Sequence, residues 1–160
     1  MKKFLSFFGF ALMVIGLTCV SCGDDADDDV SELDVIKPTI EVNVPTTDEV
    51  QKYEVGSQIE FKGTFTDDVA LKEATFSIAM KANDAGEEVE TNWLPESVVE
   101  SLKGDMVAFD DNVALSLFEA IPANTTLGEY ELTINLTDEA GNEADETVIV
   151  IEIVAASTEA

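Results

Sequence analysis

The chain has 160 residues, of which 34 are Asp or Glu and 8 are Lys, and its formal net charge at pH 7 is -26. This charge repels phosphate backbones and excludes nucleic acid as a partner, while a hydrophobic content of 46% leaves enough apolar material for one domain with a core. The sequence contains no His, which excludes a Ser-His-Asp triad and imidazole ligands for zinc.

The N-terminus has the layout of an export signal. The positive residues 2–3 precede an apolar run over residues 4–17, which is shorter than the roughly 20 residues that a spanning helix needs. Two cysteines, Cys19 and Cys22, follow this run, and at that position they cannot form a disulfide framework for a folded domain. The sequence therefore predicts a signal peptide over residues 1–21.

The segment Val20-Ser21-Cys22 resembles the lipobox of bacterial lipoproteins, whose signal is cut just before a cysteine that is then lipidated. The resemblance implies lipidation of Cys22, and Cys19 is the poorer acceptor because Thr18 is less suited than Ser21 to precede the cut. Two or three fatty chains would give stable membrane attachment, since each buried methylene contributes about 0.8 kcal/mol. Two ordinary cysteines at the end of a membrane helix are the alternative.

Seven carboxylates lie between Asp24 and Asp34, and their mutual repulsion predicts an extended acidic tether over residues 22–36. This run also resembles the acidic signals that follow the lipidated cysteine in surface-exported lipoproteins of Bacteroidetes. The resemblance implies a lipid-anchored protein on the outer face of the outer membrane. A plain solubilising spacer, with the protein on the periplasmic face, is the alternative.

Alternation of apolar and polar residues predicts strands in the rest of the chain. It is clearest over residues 39–44, 58–66, 74–81 and 130–137, and further strands are expected near 106–109 and 113–121. Residues 147–154 are apolar on both faces, which is typical of a strand that is covered on two sides. The predicted inward-facing residues are Ile59, Phe61, Phe65, Ala74, Phe76, Ile78, Met80, Tyr130, Leu132, Ile134 and Leu136.

Residues 84–112 are the least regular part of the chain. Proline near the start and glycine at the end of Pro95–Gly104 are compatible with one short helix of two turns. Trp93, just before this segment, is either a core side chain or an exposed contact for a ligand.

About seven short strands without a long helix predict an all-β antiparallel sandwich over residues 37–155, followed by a tail at 156–160. Gly128–Asn142 resembles the last hairpin of bacterial immunoglobulin-like and cadherin-like domains, with a glycine, an aromatic residue, an alternating strand, Asp and a Gly-Asn turn. The resemblance implies an immunoglobulin-like sandwich with an irregular insert, in which Tyr130 forms the tyrosine corner and Leu132 replaces a sandwich cysteine.

Two loops of such a sandwich, residues 66–70 and 137–142, are expected at the same end of the domain. They would gather five oxygen-bearing side chains that suit calcium, a cation that takes six to eight oxygen ligands. The alternative is that these residues only form good turns. We predict no other cofactor, and the five candidate ligands are Asp67, Asp68, Asp138, Glu139 and Asn142.

The sequence favours a non-catalytic binding or adhesion module at the cell surface, with the insert around Trp93 as its contact with a protein or glycan ligand. No pattern marks a catalytic residue, because nothing distinguishes one carboxylate pair from another. The alternatives are a structural or accessory subunit of an envelope complex, a calcium-dependent binding domain and a small hydrolase.

Overall fold

The computed structural model of the chain describes residues 33–83 and 85–157. The predicted signal peptide, Cys22, the tether up to residue 32 and residues 158–160 of the predicted tail lie outside the described residues. Within the described ranges, no helix is long and apolar enough to cross a membrane.

The described domain is all-β, as predicted, with two sheets and no helix among these residues. It has nine strands rather than about seven. Their bounds are β1 Thr39–Val44, β2 Gln51–Glu54, β3 Ile59–Thr66, β4 Leu71–Met80, β5 Val98–Ser101, β6 Met106–Phe109, β7 Leu115–Leu117, β8 Gly128–Asp138 and β9 Thr147–Val154.

The helix considered for Pro95–Gly104 is wrong, because β5 occupies the middle of that segment. Val98 and Val99 are β-branched and suit a pleated strand, and β5 pairs with β4 in the register Val98 to Phe76 and Ser101 to Glu73. Gly104 has a φ of 85° and ends the segment in a turn. Pairing with a neighbouring strand thus outweighs the weak helix signals of an isolated segment.

The two sheets have different strand orders. The first has the order β1-β3-β6, with β7 also pairing β3, and the second has the order β2-β9-β8-β4-β5. All pairs are antiparallel except β2 with β9, which are parallel. The N-terminal part of the domain therefore contributes β1 to one sheet and β2 to the other.

Alternate residues of the long strands form the core, as the sequence predicts. Phe61 and Phe65 of β3 stack at 5.3 Å between ring centroids, and Phe61 meets Phe76 of β4 edge-to-face at 5.0 Å. The inward residues of β8, from Tyr130 to Leu136, are all fully buried, whereas Met80 is only partly buried. On β9, Val148 is half exposed, so the prediction that both faces of this strand are covered is wrong.

Tyr130 is fully buried and its hydroxyl is satisfied on two sides. The hydroxyl donates to the carbonyl oxygen of Thr126, four residues upstream, at 2.8 Å. Its oxygen also lies 2.7 Å from Thr91 Oγ1, and because the phenol proton is already used, Thr91 is the donor there. One phenol thus joins β8 to the turn before it and to the loop that precedes β5.

Tyr53 of β2 is the contrasting case, since its buried hydroxyl has no hydrogen-bond partner. Burial, with a smaller contribution from the charge of Glu60, raises the pKa of Tyr53 from its ordinary value of 10.0 to about 12.

We expect Tyr130→Phe to lower the free energy of unfolding by about 1–2 kcal/mol, because it leaves the part-buried groups of Thr126 and Thr91 without their partner. Tyr53→Phe removes a hydroxyl that makes no hydrogen bond, so it should change the stability by less than about 0.5 kcal/mol or raise it. Urea denaturation at pH 7 measures both values. Equal losses in the two variants would contradict the role assigned to Tyr130.

Tyr53 also gives the stability a dependence on alkaline pH. The unfolded chain loses the phenol proton near pH 10.0 and the folded chain near pH 12, so the free energy of unfolding should fall as the pH rises through this window. The Tyr53→Phe variant should lack this part of the loss in the same denaturation experiment.

Candidate functional site

The structure brings together the two loops that the sequence analysis singled out. Residues 67–70 join β3 to β4, residues 139–146 join β8 to β9, and the backbone N–H of Glu139 donates to the carbonyl oxygen of Ala70 at 3.0 Å. The five predicted calcium ligands therefore lie at one end of the sandwich. Their side chains, however, have different surroundings.

Asp138 and Asn142 satisfy each other. Asp138 is fully buried, and its carboxylate accepts hydrogen bonds from the backbone N–H and the side-chain amide of Asn142, both at 2.7 Å. Desolvation acts to raise the pKa of Asp138, but hydrogen bonds from the side chain and backbone of Asn142 and from the backbone of the same turn outweigh it, and the pKa lies below its ordinary value of 3.8. These two residues hold the turn together, and Glu139 beside them is exposed.

Asp67 and Asp68 converge with a third carboxylate, that of Asp34, and one oxygen of each lies within 4.8 Å of the others. Asp67 Oδ1 accepts hydrogen bonds from the N–H groups of Val69 and Ala70 at 3.0 and 2.8 Å, whereas its Oδ2 is buried without a hydrogen-bond partner. Three carboxylates at this spacing have the hard oxygen donors that calcium takes, and a cation would relieve their repulsion.

Asp34 was missed as a candidate ligand because the sequence analysis places it in the acidic tether. Its backbone carbonyl accepts a hydrogen bond from the Asn142 side chain at 3.2 Å, which fixes the chain before β1 against the β8–β9 loop. No signal in the sequence pairs Asp34 with residues that follow it by more than 30 positions.

Trp93 lies in the core rather than on the open surface, with 7% of the residue exposed. Its ring meets Tyr130 at 5.6 Å and Phe118 at 6.3 Å between centroids, both edge-to-face. Its backbone N–H donates to Thr91 Oγ1 at 3.2 Å, and this is the hydroxyl that binds Tyr130. The insert around Trp93 is therefore attached to the core through both its ring and its backbone.

Asn92 ties the insert to the loop before β8. Its side-chain amide donates to the carbonyl oxygen of Asn124 at 2.6 Å, and its Oδ1 accepts from the backbone N–H of Thr126 at 2.9 Å. Asn92 has no role that the sequence predicts, because a single asparagine in an irregular segment carries no pattern that indicates a bridge over this distance.

A cleft of about 700 Å³ opens beside Trp93. Residues 92–98 form one wall, and Ser116, residues 118–120 and Pro122 form the other. Phe118 has a φ of 60°, a conformation that bulky residues rarely adopt and that costs about 1–3 kcal/mol. Backbone strain of this kind is concentrated at binding sites and switch regions. The wall that contains Phe118 is therefore a stronger candidate for a functional site than the loops that hold the predicted calcium ligands.

The cleft has a mixed lining of apolar and acidic side chains. Leu94 is 68% exposed at its rim, and its only carboxylates, Glu96 and Glu119, are both exposed to solvent. A glycosidase needs one carboxyl group that is desolvated and stays protonated, and neither of these has such surroundings. The cleft can offer apolar contact, backbone groups and negative charge.

Comparison with known proteins gives a family match. The family model described as "Domain of unknown function (DUF4625)" matches residues 20–154. No curated protein matches the chain. Among solved structures, a family 123 glycoside hydrolase from Clostridium perfringens, described in terms of glycolipid glycan hydrolysis, aligns at 13% identity with a TM-score of 0.39. The alignment covers 78% of this chain and only 28% of that enzyme's length.

We expect Asn142→Ala to lower the free energy of unfolding by about 1–3 kcal/mol at pH 7, because the buried Asp138 carboxylate loses a charge-assisted hydrogen bond. The Asp138 pKa is depressed in the folded state, so this contribution is present above pH 3.8 and is lost as the pH falls through the folded-state pKa. The difference between wild type and variant should therefore shrink in acid. Urea denaturation between pH 7 and pH 2 measures it.

Asn112→Ala is the matched control. Asn112 is exposed, and its side chain hydrogen-bonds the carboxylate of Asp110, which is itself exposed. The hydrogen bond from the Asn112 backbone N–H to Asp110 Oδ1, at 2.8 Å, survives the substitution. This variant should stay within about 0.5 kcal/mol of wild type. An Asn142→Ala effect of the same size, or one that grows in acid, would contradict the assignment.

Proposed function

We propose that this chain, which belongs to the family described as "Domain of unknown function (DUF4625)", is a non-catalytic, lipid-anchored binding or adhesion module of a bacterial cell surface. The cleft beside Trp93 carries the proposal. Its ligand is a protein or a glycan, and the anchor is a lipidated Cys22 at the start of the acidic tether.

The support for a binding role is the way in which the insert is held. A surface binds most tightly when its contact groups are fixed before the ligand arrives, since less conformational entropy is then lost. Here Trp93 and Asn92 attach the insert to the core and to the loop before β8, while Leu94 at the rim of the cleft stays exposed. An apolar side chain on a fixed support is typical of a contact residue.

The proposal includes an immunoglobulin-like topology. The hydrogen bond from Tyr130 to Thr126, four residues upstream, has the form of a tyrosine corner. The run β9-β8-β4-β5 in the second sheet also corresponds to the G-F-C-C′ order of variable-type immunoglobulin domains. Both features support assigning β8 as strand F of such a sandwich.

The proposed location is the outer face of the outer membrane in Bacteroidetes. The lipobox-like Val20-Ser21-Cys22 and the acidic run behind it support this location, and residues 1–21 would be removed as the signal peptide. The folded domain would then begin after the tether, near residue 37, and its cleft would face whatever lies outside the cell.

A calcium-dependent binding domain is the second candidate, favoured by the convergence of Asp34, Asp67 and Asp68. The buried, unpartnered Oδ2 of Asp67 is the specific observation, because a desolvated carboxylate oxygen needs a donor or a cation. Water would supply the remaining oxygen ligands. Asp138 and Asn142 would support the turn without touching the ion.

A photoreactive amino acid at Leu94 should give one defined covalent adduct when the native cells are irradiated, because this side chain lies at the rim of the proposed contact surface. The same reagent at Val113, which is 62% exposed and lies outside the lining of the cleft, should give no such adduct. Gel shift and mass spectrometry of the purified protein detect the product. A Leu94 sample without an adduct would contradict the binding role.

Two cysteine variants in the same cells test the anchor. Cys22→Ser should release the protein from the membrane fraction and abolish the Leu94 adduct, whereas Cys19→Ser should leave both unchanged. Protease treatment of intact cells should remove the domain if it faces outward. Resistance to protease until lysis would place it on the periplasmic face instead.

Calcium at 10 mM should raise the free energy of unfolding by about 1–3 kcal/mol if it binds with the sub-millimolar affinity of extracellular sites. Asp67→Asn should abolish this gain and, without calcium, should be slightly more stable than wild type because one like charge is gone. Asp48→Asn, at an exposed loop position, is the matched control and should keep the gain. If calcium leaves the melting temperature of the wild type unchanged, the proposed calcium site is wrong.

A further inference from the structure

We infer that the partner of this surface is an extended, basic polypeptide segment that adds a strand to the free edge of β5 and extends into the cleft beside Trp93. The inference rests on the proposed binding function and gives the chemical class of the partner. It follows from the edge, the exposed apolar side chains and the distribution of charge.

The edge of β5 is free for strand addition. β5 is the last strand of the second sheet, and among the described residues only β4 pairs with it. The N–H of Leu102 donates to the carbonyl oxygen of Lys72 at 2.7 Å, and backbone groups alternate in an antiparallel ladder. The N–H and C=O groups of Val98 and Glu100 therefore face β4, while those of Val99 and Ser101 face outward. An extended peptide binds to such an edge through these outward groups.

Apolar exposure beside a cleft without lysine marks this edge; the edge strand β6 also has an exposed apolar side chain, Met106 at 63%, but the cleft that β6 lines contains Lys62. Val99 is 56% exposed on β5, and Leu94 is 68% exposed at the rim of the adjoining cleft. The edge strand β1 is longer, yet within the described part of the chain none of its apolar side chains is largely exposed. Exposed apolar side chains beside unpaired backbone are costly unless a partner covers them.

The charge around this edge selects a basic partner. The cleft beside Trp93 is lined by Glu96 and Glu119, and a second cleft of about 800 Å³, which shares Leu94 with it, is lined by three further glutamates. All of the lining residues belong to the described part of the chain, and none is a lysine. The three glutamates of the second cleft are Glu88, Glu90 and Glu131.

The positions of the lysines near β5 indicate which end of the strand the basic residues of the partner would contact. Lys72 and Lys103 lie past the Ser101 end of the strand, whereas Glu96 precedes its Val98 end. The basic residues of the partner should therefore lie toward the Val98 end. A second copy of this chain and its own tether are poor occupants, since the chain has a net charge of -26 and the tether carries seven carboxylates between Asp24 and Asp34.

The test selects binders from a bead-displayed library of random linear dodecapeptides, with the full-length mature protein in detergent as bait. The selected peptides should be enriched in Lys and Arg over the starting library. Hydrogen exchange followed by mass spectrometry should show slower exchange in residues 98–101 when such a peptide binds. Selected peptides without basic enrichment, or protection confined to other strands, would overturn the inference.

Two pairs of variants locate the site. Val99→Lys places a positive charge on the edge and should weaken binding of the selected peptides at least about tenfold, whereas Val113→Lys adds the same charge at a similarly exposed position and should not. Glu96→Gln with Glu119→Gln should weaken binding about fivefold. Glu41→Gln with Glu146→Gln removes the same charge elsewhere and should have no effect. Equal losses within either pair would mean non-specific attraction and overturn the inference.

The outcomes separate this inference from the proposed function. Suppose that Leu94 forms an adduct in cells but the selected library peptides show no enrichment in Lys and Arg. The proposed binding function would then stand, and the inference that the partner is basic would be overturned. Protection of residues 98–101 without peptide, appearing as the protein dimerises at high concentration, would identify a second copy as the occupant and overturn the inference as well.

Discussion

The buried hydroxyl of Tyr130 connects β8 to the turn before it and to the segment that contains Trp93. Its ring fills the space between the sheets, and its single proton goes to the carbonyl oxygen of Thr126. Because that proton is committed, the oxygen can only accept from Thr91, and Thr91 in turn accepts from the backbone N–H of Trp93. The position of the insert therefore depends on the core through these three hydrogen bonds. Because residues 92–98 line the cleft, the same hydrogen bonds help to fix its shape.

The surface ion pairs of the domain contribute little to its stability. The ion pairs of the described residues join Lys37, Lys52, Lys62 and Lys81 to exposed or half-exposed carboxylates at 2.7–2.9 Å, and such surface pairs contribute about 0–1 kcal/mol each. Apolar burial by β3, β4, β8 and β9 holds the sheets together instead. The excess of carboxylates is thus free to act on solvent, ions and partners.

The alternating strands could be predicted from the sequence because one face of each is buried. β3, β4 and β8 have this pattern, and their inward residues lie where period two places them. β2 and β5 have four residues each, which is too short for the pattern to stand out, and pairing with longer neighbours determines their conformation. Asp34 in the acidic cluster and Asn92 beside the cleft could not be predicted either. Both act through hydrogen bonds to distant parts of the chain, which leave no local pattern in the sequence.

The attachment of the chain before β1 has a mechanical consequence. The Asp34 carbonyl binds Asn142 and the Lys37 ammonium binds Asp145, so both contacts end on the same β8–β9 loop. Tension that arrives from the N-terminal side reaches these two polar contacts before it reaches the ladder between β1 and β3. They can part and reform while every strand stays paired, which would let the domain absorb a brief pull without unfolding.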